Sequence, residues 1–95
     1  MVHGSIAVTA EATSELEATF FSEFGGWPAI LSRLFSGTDL PGAAATAALG
    51  EILEGRAEPS QIAAFAAAMR TKGESVEEIV GLSRAMRERS IATGR

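Results

Sequence analysis

The sequence has no cysteine and no tyrosine, and it has a single histidine (His3), a single aspartate (Asp39) and a single lysine (Lys72). Without cysteine there is no disulfide framework, no thiolate nucleophile and no zinc-finger ligand set, and a reducing compartment is permitted. With one His and one Asp, the chain lacks the groups from which a self-contained acid–base or nucleophilic centre is usually built. No apolar run reaches the ~20 residues that a bilayer span needs, so no membrane partner is expected. Eight Lys and Arg stand against twelve Asp and Glu, for a formal net charge of −4 and a pI near 4.9. Neutralising phosphates takes clustered cations, so this balance argues against a nucleic-acid or anionic-membrane binder. What is present is a chain 46% hydrophobic and 21% charged, with mean hydropathy +0.17. That is too apolar for disorder, and 95 residues make one soluble globular domain able to bury ~65% of its unfolded surface.

Residues 1–12 carry neither a basic segment nor a long apolar core of signal-peptide type, and they show no helical stripe; they read as a flexible N-terminal arm ahead of a helical domain over 13–95. From Thr13 or Ser14, either of which can cap, Leu16, Phe20 and Phe24 recur every fourth residue and predict a helix ended by Gly25-Gly26. Trp27-Pro28 opens a second helix with Ile30, Leu31 and Leu34 on its apolar side, stopping at Ser36-Gly37. After the turn residues 38–42, a third helix over 43–54 places Ala45, Ala48, Leu49, Ile52 and Leu53 on one face and ends at Gly55. Glu58-Pro59-Ser60 starts a fourth, 61–72, with the stripe Ile62, Phe65, Ala66, Met69 and a stop at Gly73. Ser75-Val76-Glu77-Glu78 is a capping box that opens a fifth, with Ile79, Leu82 and Met86 on its buried side. Gly81 inside that helix costs about 1 kcal/mol against alanine, which a neighbouring helix crossing close to the backbone explains. No strand alternation is present. The fold class is all-α, a small bundle of about five short helices.

Few constellations carry chemistry. Gly37 and Gly42 have the spacing of a phosphate loop, but no Lys-Ser or Lys-Thr follows and no strand precedes them. His3 has no acid partner at useful spacing. Adjacent Glu77 and Glu78 point about 100° apart on a helix, so first-turn capping explains them better than a paired acid–base or metal site, and no metal ligand set is expected. Arg84, Arg87 and Arg89, with Arg95 beyond, complement the dipole at the end of the last helix; phosphate or nucleic acid is the competing role. Phe20, Phe21, Phe24 and Trp27 form the main aromatic group, with core filling and a self-association surface as its two readings.

The string from Trp27 onward is more specific than its parts. Trp27-Pro28 with Ile30, Leu31 and Leu34, then Asp39-Leu40, Ile52-Leu53 with Gly55, Gln61-Ile62-Ala63-Ala64-Phe65, Met69-Arg70, Lys72-Gly73-Glu74, Glu77-Glu78-Ile79, Gly81 and Ala85-Met86-Arg87 together resemble the N-terminal helical domain of the anthranilate phosphoribosyltransferases. The resemblance covers about two-thirds of the chain, and the pyrimidine nucleoside phosphorylases, with a similar helical domain, are the more distant alternative. It departs at Pro41-Gly42, where the family often has a Ser cap followed by Glu, and at Ala66, where Leu is common.

The resemblance implies that a full-length relative transfers phosphoribose from phosphoribosyl pyrophosphate to anthranilate, in tryptophan biosynthesis and in the cytoplasm. The diphosphate and magnesium would be held by a Gly-Thr-Gly-Gly-Asp-Gly loop and acidic residues of an α/β domain absent from these 95 residues, so no cofactor is expected in this chain and no activity from it alone. The helical domain would supply a homodimer contact and one wall of the substrate cleft. Met86 is then the residue expected beside the anthranilate entrance, with core filling as its other role. A free-standing helical interaction module is the alternative function.

Overall fold

A computed structural model describes residues 10–92 of the chain, with side chains placed for 15–89. Five α-helices follow one another: α1 (Ala10–Phe24), α2 (Gly26–Phe35), α3 (Gly42–Leu53), α4 (Pro59–Lys72) and α5 (Val76–Ala92). No strand occurs among the described residues, and the all-α expectation holds. Of the expected arm, residues 1–9, His3 among them, lie outside the described residues. Residues 10–12 are helical instead, because Ala, Glu and Ala are good helix formers and extend α1 back past Thr13 and Ser14, which therefore lie within the helix and do not cap it.

The helix ends follow from local chemistry. Gly25 and Gly26 adopt φ of 120° and 69°, a break that residues with a Cβ rarely make, and a Cβ on Gly25 would sit 2.6 Å from Ala29 Cβ. At the end of α2 the Gly37 amide donates to Leu34 O and the Thr38 amide to Arg33 O; Gly55 and Arg56 repeat the pattern after α3. Both are Schellman closures. Pro59 occupies the first position of α4, and Glu58 and Gln61 form a reciprocal capping box around it.

α3 is the central helix. It packs along α5 on one side and α1 on the other, while α4 lies against α2. The particle is elongated, 47 × 26 × 23 Å. Trp27 ties the two parts together: its ring meets Phe21 of α1 edge-on at 5.1 Å and Phe65 of α4 edge-on at 5.6 Å. Ile30, Leu34, Leu40, Ala44, Ala45 and Ala48 fill the space beneath.

The contact between α3 and α5 is made by small residues. A Cβ on Gly81 would overlap the carbonyl oxygen of Gly42 and lie 3.2 Å from Ala45 Cβ, and Thr46 Oγ1 donates at 2.7 Å to Gly81 O. The close crossing inferred from Gly81 is therefore present, between α5 and the start of α3. It also overturns the apolar stripe expected on α5. The buried side is Glu78, Gly81 and Ala85, with Leu82 half-buried, whereas Ile79 is 51% and Met86 53% exposed. A backbone-to-backbone approach has room only for small side chains, so the large ones turn outward. On α4, Ala68 takes the place expected of Ile62 and Ala66, which are exposed; on α3, Leu53 is exposed while Leu49 and Ile52 are half-buried. On α1, Phe21 is the core residue, and Leu16 and Phe20 face outward.

Gly81→Ala should test the crossing directly. The added methyl gains helix propensity but meets a main-chain oxygen that cannot move without shifting α3, so a net loss of about 1–3 kcal/mol is expected by urea unfolding. An unchanged midpoint would show that the helices do not touch there. Trp27→Ala, which removes both edge-on ring contacts and leaves a cavity, should cost about 3–5 kcal/mol in the same assay.

Candidate functional site

The highest concentration of polar chemistry lies where the α2–α3 turn meets the α4–α5 turn, and Glu78 is its centre. This residue is fully buried in the first turn of α5. Its Oε1 accepts from the Ser75 amide at 2.8 Å and from Lys72 Nζ at 2.7 Å; its Oε2 accepts from the Leu40 amide at 2.6 Å. Ser75 Oγ in turn accepts from the Glu78 amide at 3.1 Å, which completes the capping box expected from the sequence. Lys72 Nζ, at the end of α4, donates to Glu78 Oε1, to Asp39 Oδ1 at 2.8 Å and to Gly73 O at 2.8 Å. Its three N–H bonds are matched by three acceptors.

The neighbouring Glu77 acts on the same turn. Its Oε2 accepts from the Gly42 amide at 3.0 Å. Pro41 precedes α3 and offers no capping side chain, so a carboxylate from α5 satisfies an amide at the start of α3 that its own sequence leaves open. Glu77 and Glu78 are capping residues, as expected, but they cap two helices and a turn, not α5 alone.

The electrostatics follow from burial against pairing. Burial by itself would lower the Lys72 pKa, but hydrogen bonds and charges from Asp39 and Glu78 together outweigh it and hold the ammonium above its usual value. Burial would raise the Glu78 pKa, but Lys72 and the Leu40 and Ser75 amides hold the carboxyl below the usual carboxylate range. The stability contributed by Glu78 is present above its unfolded pKa and disappears as pH falls through the lower folded value. That of Lys72 is present below the ordinary lysine pKa and disappears as pH rises through the higher folded value.

A second cluster joins α1, α3 and α5. Arg89 places one terminal nitrogen 2.9 Å from Glu17 Oε1 and 3.3 Å from Glu54 Oε2, and the other 3.6 Å from Glu88 Oε1. The pair lies on Gly50, where a Cβ would be 2.5 Å from Glu17 Oε1 and 2.9 Å from the guanidinium. Three carboxylates thus share one guanidinium. A hydrogen bond to the Glu17 carboxyl, with burial and the Glu17 charge behind it, pushes the Glu88 pKa up, against the opposing charges of Arg89 and Arg84. This group therefore has the opposite pH slope to Glu78: its contribution is present below the unfolded pKa and is lost as pH rises through the folded one.

The residues singled out from the sequence do not form one site. Arg89 is held in the carboxylate cluster, while Arg84 and Arg87 remain exposed on α5, and Arg95 lies outside the described residues. Phe21 and Trp27 are core residues, 8% and 6% exposed, so in the folded chain they cannot be part of a self-association surface with Phe20 and Phe24. Those two pair with each other at 6.1 Å, and Phe24 is covered in part by Arg33, 5.9 Å from its ring. Met86 is 53% exposed on α5 and does not fill the core. Sequence reading missed the Lys72–Glu78 pair and its reach to Leu40. The Lys-Gly-Glu and capping-box strings were visible, but the bond to Leu40 spans 38 positions and leaves no local trace. Among the described residues no group of three or more acidic or histidine side chains could hold a metal ion.

Polar groups bonded to one another, with small residues at the α3–α5 crossing, join the helices into a bundle domain. The chain belongs to the glycosyl transferase family as its helical bundle domain, which residues 28–90 match. Anthranilate phosphoribosyltransferases are its relatives: that of Brevibacillus brevis is 48% identical over 61 residues, covering 64% of this chain and 18% of the relative. Those of Acidothermus cellulolyticus (52% over 60 residues) and Symbiobacterium thermophilum (49% over 63 residues) cover 63% and 66% of this chain and 17% and 18% of their own lengths. The match therefore spans under a fifth of the curated relatives' length. No solved structure matches the chain. Helix α1 lies outside the matched segment.

Glu78→Ala leaves the Lys72 ammonium buried beside one remaining carboxylate and two amides without acceptors, and should cost about 3–5 kcal/mol by urea unfolding at neutral pH. The difference between wild type and variant should shrink as pH falls through the acid range; a constant difference would mean that the Glu78 charge contributes nothing. Glu88→Gln removes a like charge beside Glu17 and should raise the melting temperature more at pH 7 than at pH 4. Equal changes at the two pH values would show that the two carboxyls do not interact.

Proposed function

We propose that this chain is the helical domain of an anthranilate phosphoribosyltransferase, which in full-length form joins phosphoribose from phosphoribosyl pyrophosphate to the amine of anthranilate. The observation that carries this reading is the identity of about half the residues over some 60 positions with enzymes of that name, together with the family match over 28–90. The buried Glu78–Lys72 pair, which reaches the exposed Asp39, supports it by giving these residues a role in joining helix ends, the work of a bundle domain. In this reading diphosphate and magnesium binding belong to an α/β domain, the enzyme works in the cytoplasm in tryptophan biosynthesis, and Met86 borders the cleft through which anthranilate enters. The helical domain also makes the homodimer contact.

A chimera tests this. Replacing the matched segment of the Brevibacillus brevis enzyme by residues 28–90 of this chain should leave phosphoribosyl transfer within about tenfold of the parent, because the α/β domain retains the chemistry. The 95-residue chain alone, with both substrates and magnesium, should show none. A chimera that folds but is inactive would overturn the assignment to this enzyme.

One observation favours a free-standing interaction module as the second reading. Helix α1, outside the matched segment, lies on α3 and is fixed by the Glu17–Arg89 pair, so the chain covers part of its own bundle with a segment that the family match does not include.

A further inference from the structure

Helix α1 is tied to the rest of the bundle by less than any other helix. The bonds that set the register of α3, α4 and α5 run through Glu78, Lys72, Leu40, Glu77, Thr46 and Gly81, and none of them involves α1. Of its described side chains, Phe21 is the one large apolar group that is buried; Phe24 is half-buried, and Leu16 and Phe20 are exposed. The helix also fails to close on its seat. A cavity of about 250 Å³ lies between Leu16 and Phe20 of α1, Ala43, Thr46 and Ala47 of α3, and Arg84 and Glu88 of α5. The seat on α3 is a row of small residues, Ala43, Ala47 and Gly50, which offers no large side chain to interlock with α1. The joint to α2 is Gly25-Gly26, two residues of positive φ. Just past it, Trp27 keeps Phe65 edge-on at 5.6 Å whether or not α1 is in place. A segment with few buried contacts and a glycine joint is the kind that opens by itself while the remainder stays folded.

The charges at the seat make that opening depend on protons. Glu17 comes from α1, Glu54 from the end of α3, and Arg84, Glu88 and Arg89 from α5. Arg89 holds Glu17 at 2.9 Å and Glu54 at 3.3 Å. Of the other charges on the packed elements, Glu51 of α3 is held by Arg56, Arg33 of α2 lies over the Phe24 ring, and Glu15 and Glu23 of α1 are exposed. Seating α1 also brings the Glu17 carboxyl into hydrogen-bonding contact with that of Glu88. Two carboxyl groups share a hydrogen bond only when one of them keeps its proton. Because Glu17 and Glu88 belong to different helices, this contact exists only while α1 is seated. The closed chain therefore binds a proton that the open chain gives up. Closing is most favourable below the ordinary carboxylate pKa and becomes weaker as pH rises through the raised value of Glu88.

We propose that α1 is a proton-linked latch: it swings on Gly25-Gly26 away from α3 and α5 while the α2–α5 bundle stays folded, and its closing takes up a proton between Glu17 and Glu88. Opening uncovers the small-residue row of α3 and the cavity beside it, so acid closes this face and alkali exposes it. The inference goes beyond the family assignment and does not rest on it, because α1 lies outside the matched segment and its seat lies within this chain.

Native-state hydrogen exchange on the 95-residue chain, read residue by residue and corrected for the intrinsic pH dependence of exchange, tests the latch. Amides of residues 15–24 should share one opening constant, roughly tenfold or more above those of α3 and of α5 around Gly81. Between pH 5 and pH 8 that constant should rise about threefold or more while those of α3 and α5 do not follow it. Glu88→Gln, a neutral stand-in for the protonated carboxyl at a half-exposed position, should hold α1 at its pH 5 value throughout. Glu15→Gln, an exposed carboxylate on the same helix, should leave the pH dependence intact. If α1 exchanges only together with α3 and α5, it is not a separate unit and the proposal fails. A pH-independent opening of α1, or a pH dependence that survives Glu88→Gln or disappears with Glu15→Gln, would overturn the proton linkage. The chimera carries residues 28–90 alone, so its result neither supports nor removes the latch.

Discussion

A single buried carboxylate determines how the two ends of this bundle meet. Glu78 is removed from water, and a lone ionised carboxylate in that position would be strongly unfavourable. It is tolerated because three donors converge on it, the Lys72 ammonium, the Ser75 amide and the Leu40 amide, and Lys72 also donates to the Asp39 carboxylate beside Leu40. The three donors come from three places in the chain. The end of α4, the start of α5 and the turn before α3 are therefore fixed relative to one another by directional bonds, which apolar packing alone would leave free to slide. A buried ion pair is weak evidence for net stability, but its geometry is specific: the bonds form only when all three segments are in register.

The remaining packing depends on that register. α5 can lie on α3 with Gly81 against the Gly42 carbonyl only if the start of α3 is held in place, and Glu77 and Glu78 both hold it. The alanines of α3 then serve as spacers that permit close approach, and Thr46 closes the crossing with a hydrogen bond to Gly81 O. This arrangement explains why the larger apolar side chains of α5 lie outside. A helix that touches its neighbour through backbone has no room for isoleucine or methionine at the contact.

Helix positions were legible because their signals are local. Gly25-Gly26, Gly37, Gly55 and Gly73 each adopt positive φ where a helix ends, and Ser75 with Glu78 forms the box that its spacing announces. The start of α1 was placed late because two plausible caps, Thr13 and Ser14, follow residues that favour helix just as well. Buried faces were harder to read. In α3, and from Ile62 to Met69 in α4, nearly every position is alanine or another apolar residue, so a 3.6-residue period selects no unique side. In α5 the period selected Ile79 and Met86, and it was misleading because the core side is built from Gly, Ala and a glutamate that pattern reading counts as polar. Of the candidate site, the capping role of Glu78 was visible, while its partner Lys72 and its reach to Leu40 were not.

The sequence by itself determined that the chain is a bundle of five helices, where the first four stop, that Gly81 lies under a crossing helix, and that the string from Trp27 onward is of the anthranilate phosphoribosyltransferase type. Each of these depends on residues within a few positions of one another or on their order along the chain. Only the tertiary structure decided which side of α5 is the inside, that Phe21 and Trp27 belong to the core while Phe20 does not, and that Lys72, Asp39 and Leu40 meet at one buried carboxylate. The reason is that burial and long-range hydrogen bonds are properties of pairs of surfaces. A single helix carries its own period and its own caps, but it does not carry the shape of the neighbour that will cover it.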